Sequence, residues 1–179
     1  MKALIPIANG SEEMEAVIVT DTLRRARWEV VLAGLSDGPI TASRGVKLVP
    51  DAAWEQIDPA DFDILILPGG TGGANLFMKH DGVQQALRDF DADGKWIAAI
   101  CAAPRALNKA GLLERRRFTC YPGVEEAMPN LTRSDESVVV DGRLITSQGP
   151  GTSFEFALRI IAECDNPAVS DEVRRGMLL

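Results

Sequence analysis

Cys101 stands directly after the apolar run Trp96 to Ile100 and directly before Ala102-Ala103-Pro104, the start of a stretch that reads as a helix to Ala110. A cysteine at a strand-to-helix corner is held at a fixed, exposed position, and the N–H groups that open the helix favour its thiolate. This arrangement is that of a nucleophile elbow. An arbitrary free cysteine is most often a small core residue, which is the reading for Cys120 and Cys164; the corner sets Cys101 apart. Cys120, beside Tyr121 and three residues from Arg117, is expected to be the more accessible of the other two. A second apolar run, Asp63 to Leu67, ends in Pro68-Gly69-Gly70. Backbone N–H groups of Gly69 and Gly70, together with that of Ala102, are placed to face the sulfur or a developing oxyanion. Glycine pairs are common turn punctuation, so this pair gains meaning only through Cys101.

Glu15 lies four residues after Ser11 in the first helical stretch, so its side chain points back over the first turn, toward the same end of the structure. A solvated glutamate that stabilises the helix dipole is the ordinary alternative. Met14, Ala16 and Val17 flank it, however, unlike Glu12 and Glu13. An ionised carboxylate beside Cys101 opposes thiolate formation, whereas a buried, protonated Glu15 can donate a hydrogen bond to the sulfur. Glu15 is therefore expected to titrate above the usual carboxylate range. His80, the single histidine, sits between Lys79 and Asp81 in a polar context. A Cys-His-acid triad is not expected, which argues against conventional peptide or ester hydrolysis.

The elements that position these groups alternate. Lys2 to Ala8 reads as a strand buried on both faces, ended by Asn9-Gly10. A helix follows, capped by Ser11, carrying Met14, Val17, Ile18 and Leu23 as its apolar stripe and ending near Arg27. Glu29 to Gly34 is a second strand, and Ile40 to Val49 forms short extended pieces around Gly45. Gly72-Gly73 precedes the next helical stretch. Asp81 is placed to cap a helix with Val83, Leu87 and Phe90 on one face and Gly94 as its stop. Trp96 to Ile100 is the strand that delivers Cys101. Beyond Phe118 to Tyr121, strands at Val138 to Val140 and Leu144 to Thr146 are joined by Asp141-Gly142. Gly149-Pro150-Gly151 opens the last long helix, with Phe154, Leu158 and Ile161 on one face, and a further helix runs from about Ala168. Strands alternating with helices make a mainly parallel sheet covered on both sides, whose ligands bind beyond the carboxyl ends of the strands. The loops Asn9 to Ser11, Pro68 to Gly73 and Cys101 to Ala103 all lie there.

The 179 residues suit one domain, 1–179, with 46% hydrophobic and 25% charged residues. A net charge of −7 argues against a phosphate-tracking surface, so no nucleic-acid partner is expected. Arg115-Arg116-Arg117 reads as a solvated turn. No stretch approaches the roughly 20 apolar residues that span a bilayer, and no secretory leader is seen. Three cysteines without metal-ligand spacing imply neither a disulfide framework nor a metal site, and a reducing cytoplasm fits them best. No cofactor is expected.

Four motifs in order resemble the ThiJ/PfpI superfamily, and within it the DJ-one branch, which includes the parkinsonism-associated protein and bacterial YajL-type proteins. They are Gly10-Ser11-Glu12-Glu13-Met14-Glu15, Leu67-Pro68-Gly69-Gly70, Ala98-Ala99-Ile100-Cys101-Ala102-Ala103-Pro104 and Thr146-Ser147-Gln148-Gly149-Pro150-Gly151-Thr152. The resemblance implies a flavodoxin-like three-layer α/β sandwich and a homodimer. It also implies that Cys101 is an oxidisable nucleophile partnered by protonated Glu15, with Gly69, Gly70 and Ala102 as the backbone anion site. Arg44 matches an arginine that lies near the cysteine across the family's dimer interface; Tyr121 and Pro150 are further candidates to line the site. Two positions depart from other branches. Ala102 stands where the protease and amidase branches carry a histidine, which leaves an amidase-like reading third. Tyr121 falls in a segment where human-type members carry a histidine, and an aromatic residue there resembles the bacterial pattern.

Two functions follow from the resemblance. The first is a cofactor-independent enzyme of the glyoxalase III or deglycase kind, converting methylglyoxal or its early adducts to a hydroxy acid. The second is a redox sensor or oxidative-stress chaperone, in which Cys101 is oxidised to a sulfenic and then a sulfinic acid. They part on turnover, which only an enzyme shows.

Overall fold

The computed structural model describes residues 1–179. The apolar runs become strands of a seven-stranded sheet in the order β5-β2-β1-β6-β7-β9-β8. Its members are β1 (Lys2–Ile7), β2 (Glu29–Gly34), β5 (Ala52–Ala53), β6 (Ile64–Leu67), β7 (Trp96–Ile100), β8 (Val138–Asp141) and β9 (Leu144–Ser147). All neighbours pair in parallel except β8 and β9, the hairpin that closes one edge. A separate antiparallel pair, β3 (Ile40–Thr41) and β4 (Lys47–Leu48), lies in the segment read as short extended pieces.

Central strands are apolar throughout because both faces are covered. Alternation sorts their side chains into two cores. Leu4, Leu65, Leu67, Ile97 and Ala99 pack with Phe77, Val83, Leu87 and Phe90. Those partners come from α2 (Thr71–Lys79) and α3 (Asp81–Ala92), and α4 (Pro104–Lys109) adds Ala106 and Leu107. On the other face Ile5, Ile7, Ile64, Ile66 and Ile100 pack with Val19, Leu23, Phe156, Ile160 and Val173. These belong to α1 (Glu13–Arg25), α5 (Ser153–Cys164) and α6 (Pro167–Gly176). The result is the three-layer α/β sandwich, mainly parallel, that the sequence reading anticipated.

Several local expectations are corrected. The cap of α1 is Glu12, whose side chain accepts from the Glu15 N–H at 2.7 Å. Ser11 Oγ is buried and instead accepts from the Ala8 N–H at 3.0 Å, closing the turn after β1. Met14 and Val17 are exposed, while Ala16, Val19 and Leu23 form the packed stripe. The periodicity is shifted because Glu13 and Glu15 occupy buried positions. His80, not Asp81, caps α3, its Nδ1 accepting from the Val83 N–H at 3.3 Å. Gly72 and Gly73 lie inside α2, and α4 starts at Pro104, leaving Ala102 and Ala103 in a turn. On α5, Phe154 points outward while Phe156 is buried. Cys120 is fully buried, whereas Cys164 is partly exposed, the reverse of the expected order.

Arg116 and Arg117 pair with Asp91 and Glu136, which makes most of the basic run a set of surface ion pairs. No helix is long and apolar enough to cross a membrane.

Candidate functional site

Cys101 is one of four non-glycine residues with positive φ, at 64°. That left-handed conformation costs an L-residue about 1–2 kcal/mol and persists only where the surroundings dictate it. Here they do. The Cys101 N–H donates to Ser147 O and the Tyr121 N–H donates to Cys101 O, each at 3.0 Å, while Ala103 N–H closes the turn onto Ile100 O at 3.0 Å. Strand β9 on one side and the 119–121 segment on the other thus fix the corner, and the sulfur is left partly exposed.

The loop after β6 comes alongside. A Cβ on Gly69 would lie 2.5 Å from Cys101 Cβ and 2.7 Å from Glu15 Oε2, so only hydrogen fits between the two side chains. Gly70 has φ +81° and Gly10 has φ +82°, and the chain at Gly10 crosses Gly72 so closely that a Cβ on either would lie under 3.0 Å from the other's Cα. This close crossing lets the Asn9–Ser11 and Pro68–Gly73 loops meet beside the cysteine.

Glu15 is fully buried. Its Oε2 accepts from the Gly69 N–H at 2.6 Å, and its Oε1 has no hydrogen-bond partner. Gly69 therefore anchors the carboxyl group, and the backbone donors aimed at the sulfur are Gly70 and Ala102. The expectation that Gly69 itself faces the sulfur is corrected on this point. Burial pushes the Glu15 carboxyl up to about 7, against the opposing Gly69 hydrogen bond. Burial and the neighbouring Glu15 charge push the Cys101 thiol up to about 12, while the Gly70 and Ala102 N–H groups pull it down. The two groups share one titration: ionised Glu15 opposes the thiolate, and protonated Glu15 removes that opposition. A carboxyl that keeps its proton can donate to the neighbouring Cys101, with which Glu15 shares a side-chain hydrogen bond.

Arg44, Tyr121 and Pro150 of the same chain line one cleft of about 750 Å³ with Cys101, Gly70 and Ala102. Met14 and Val124 complete its apolar wall. Sequence reasoning missed Glu13. It is buried, and its carboxylate accepts from Ser43 Oγ at 2.8 Å and from the Arg44 N–H at 2.8 Å, fixing the loop that brings Arg44 to the cleft. Nothing in the local sequence distinguishes Glu13 from Glu12, because its partners lie some 30 residues away. His80 stands apart, packed edge-on against Trp54 at 5.9 Å between ring centres. No cluster of three or more His, Cys, Asp or Glu side chains is arranged to hold a metal ion.

A parallel sheet sheathed on both faces, with a strained cysteine at its carboxyl edge, defines a flavodoxin-like α/β protein with a nucleophile elbow. Within that class the chain belongs to the DJ-1/PfpI family, whose model matches residues 1–163. It is 42% identical to protein dj-1beta of Drosophila melanogaster over 180 residues, covering 99% of this chain and 96% of that one. It is 34% identical to the glutathione-independent glyoxalase DJR-1.2 of Caenorhabditis elegans over 171 residues, covering 94% and 91%. Oxidised Toxoplasma gondii DJ-1 superposes with a TM-score of 0.94 at 36% identity, covering 99% of this chain and 97% of the other.

Proposed function

We propose that the chain is a cofactor-independent glyoxalase, taking up methylglyoxal or a close relative and releasing the hydroxy acid. The observation that carries this reading is the fully buried Glu15 carboxyl, raised by burial to about 7 and hydrogen-bonded beside Cys101. A general acid–base group works best when its pKa lies near the operating pH. In the proposed reaction the Cys101 sulfur bonds to the aldehyde carbon and the thiol proton passes to the carbonyl oxygen, giving a hemithioacetal. Gly70 and Ala102 N–H groups face the oxygen as it gains charge. Glu15, as carboxylate, removes the proton from the former aldehyde carbon and returns it to the adjacent ketone carbon, while the hemithioacetal hydroxyl proton passes to the ketone oxygen. The first carbon is thereby oxidised to the thioester level and the second reduced to an alcohol. Water then cleaves the thioester, releasing lactate and the free thiol. The similarity to a relative named as a glutathione-independent glyoxalase supports the same reading.

The redox reading draws on a different observation: the partly exposed sulfur faces two backbone donors, a setting that also suits a sulfinate. One experiment separates the two. Lactate is measured from methylglyoxal without glutathione, for the native protein, Cys101→Ser and Glu15→Gln. Either substitution is expected to cut turnover by at least about a hundredfold. Absence of turnover in the native protein, with selective peroxide oxidation of Cys101, would replace the enzyme by the sensor.

A further inference from the structure

Tyr121 is the only tyrosine in the chain, and the chemistry above gives its ring no part. Its backbone N–H is tied to the carbonyl of Cys101, which sets the root of the side chain at a fixed place relative to the nucleophile. The ring is set from the other side by Gly149. That residue has φ 172°, extended backbone open to any amino acid, so the absence of a side chain there is not a conformational need. What a side chain there would meet is the ring: a Cβ on Gly149 would lie 3.1 Å from Cδ2 and 3.6 Å from Cε2 of Tyr121, so the ring would have to shift by a few tenths of an ångström. One edge of the ring rests on bare main chain.

This seat is itself rigid. Thr152 Oγ1 accepts from the Gly149 N–H at 3.1 Å and lies 2.9 Å from Gly149 O, and it also meets Ser147 Oγ at 2.7 Å. Tyr121 is nevertheless 51% exposed, and it lines the cleft with Met14, Val124 and Pro150. The cleft of about 750 Å³ is far larger than a three-carbon dicarbonyl needs; pockets of roughly 300–1,000 Å³ hold drug-sized ligands.

We infer that Tyr121, seated on Gly149, is a specificity-determining wall that receives a flat apolar substituent on the electrophile attacked by Cys101. On the glyoxalase reading, on which this substrate assignment rests, the favoured class is the arylglyoxals, α-oxoaldehydes with an aromatic ring on the ketone carbon. The wall itself serves any electrophile that reaches the sulfur. Aromatic pairing with the ring adds to the apolar area buried against it, so a preference of about tenfold is expected.

The test compares ratios in native protein, Tyr121→Leu, Tyr121→Phe and Gly149→Ala, all first shown to unfold cooperatively. One ratio is kcat/KM for phenylglyoxal over methylglyoxal. The other is the alkylation rate of Cys101 by N-phenylmaleimide over N-methylmaleimide, read by mass spectrometry of the Cys101 peptide. Tyr121→Leu is expected to lower both ratios about tenfold, Tyr121→Phe to keep them, and Gly149→Ala to lower them in part by displacing the ring. If no glyoxal is turned over but the maleimide ratio falls, the wall stands and the glyoxalase reading fails. Ratios unchanged in Tyr121→Leu overturn the wall.

Discussion

Two of the three thiols have a carboxyl group as a hydrogen-bond partner, and they are not alike. Burial and an adjacent carboxylate push both Cys101 and Cys120 up to about 12. Cys120 Sγ donates to Glu125 Oε2 at 3.7 Å. Glu125, however, is held below the usual carboxylate range by backbone hydrogen bonds, including the Gly123 N–H at 2.8 Å, and by Arg133 at 3.2 Å. Glu15 has no cation and only one backbone donor, and burial raises it to about 7. A carboxylate pinned by arginine stays charged and repels a thiolate at every working pH. A buried carboxyl with no cation and a single backbone donor exchanges its proton near neutrality. A cysteine beside an acid is therefore not in itself a reactive site; the lack of compensation around the acid makes it one.

The largest expected effect lies in reagent access. Cys120 is fully buried and Cys101 is not. Iodoacetamide reaches Cys120 only through local opening, so Cys101 should be labelled at least about a hundredfold faster at pH 8, a ratio that an opening cost of roughly 3 kcal/mol supplies. Equal labelling of the two peptides in a timed mass-spectrometric assay would erase the contrast.

A smaller effect sharpens the Glu15 side. Folded Glu15 keeps its proton up to about pH 7. An unfolded glutamate loses it near a pKa of about 4.3. Between these values the native state binds the extra proton, so native stability falls as pH rises across the window, by roughly 3 kcal/mol, and is level above it. Glu15→Gln removes that decline and is expected to be more stable than the native protein at pH 8 by about 2 kcal/mol. Denaturant unfolding at pH 5 and pH 8 measures it; an identical decline in the variant would show that Glu15 does not titrate there.

The smallest effect belongs to the other pair. Glu125→Gln takes the charge away from Cys120 and leaves Arg133 with Asp135. A stability loss of about 1 kcal/mol is expected for a partly exposed pair with hydrogen bonds, with Cys101 labelling unchanged. A change in the Cys101 rate would mean that the two pairs communicate.

Much of this was legible in the chain. Unbroken apolar runs at Leu4–Ile7, Ile64–Leu67 and Ile97–Ile100 announce strands covered on both faces, and the corner at Cys101 follows from where the last one stops. The first turn of α1 was legible only in part: the burial and raised pKa of Glu15 were expected, whereas the inward turn of Glu13 and the exposure of Met14 and Val17 were not. Periodicity equates apolar with buried, yet here Glu13 and Glu15 go inside and Met14 and Val17 stay out. The carboxylates are drawn in by backbone donors in distant loops, Gly69 for one and Arg44 for the other. The division of labour between Gly69 and Gly70 escaped for the same reason. Which N–H meets the acid and which meets the sulfur depends on how the loop crosses Gly10, a contact 60 residues apart in sequence.

That crossing also bears on how the crevice meets a ligand. Around Gly10, Gly70 and Gly72 the wall is main chain, held by main-chain bonds such as Glu12 N–H to Gly69 O at 3.0 Å. Such a surface has no rotamers to freeze. An oxyanion settling against it forfeits none of the entropy, up to about 2 kcal/mol for each long side chain, that a lysine- or arginine-built pocket must give up on closing. The reacting end of the cleft is thus ordered before anything arrives, and adaptability is left to the side chains of Met14 and Arg44 at its rim.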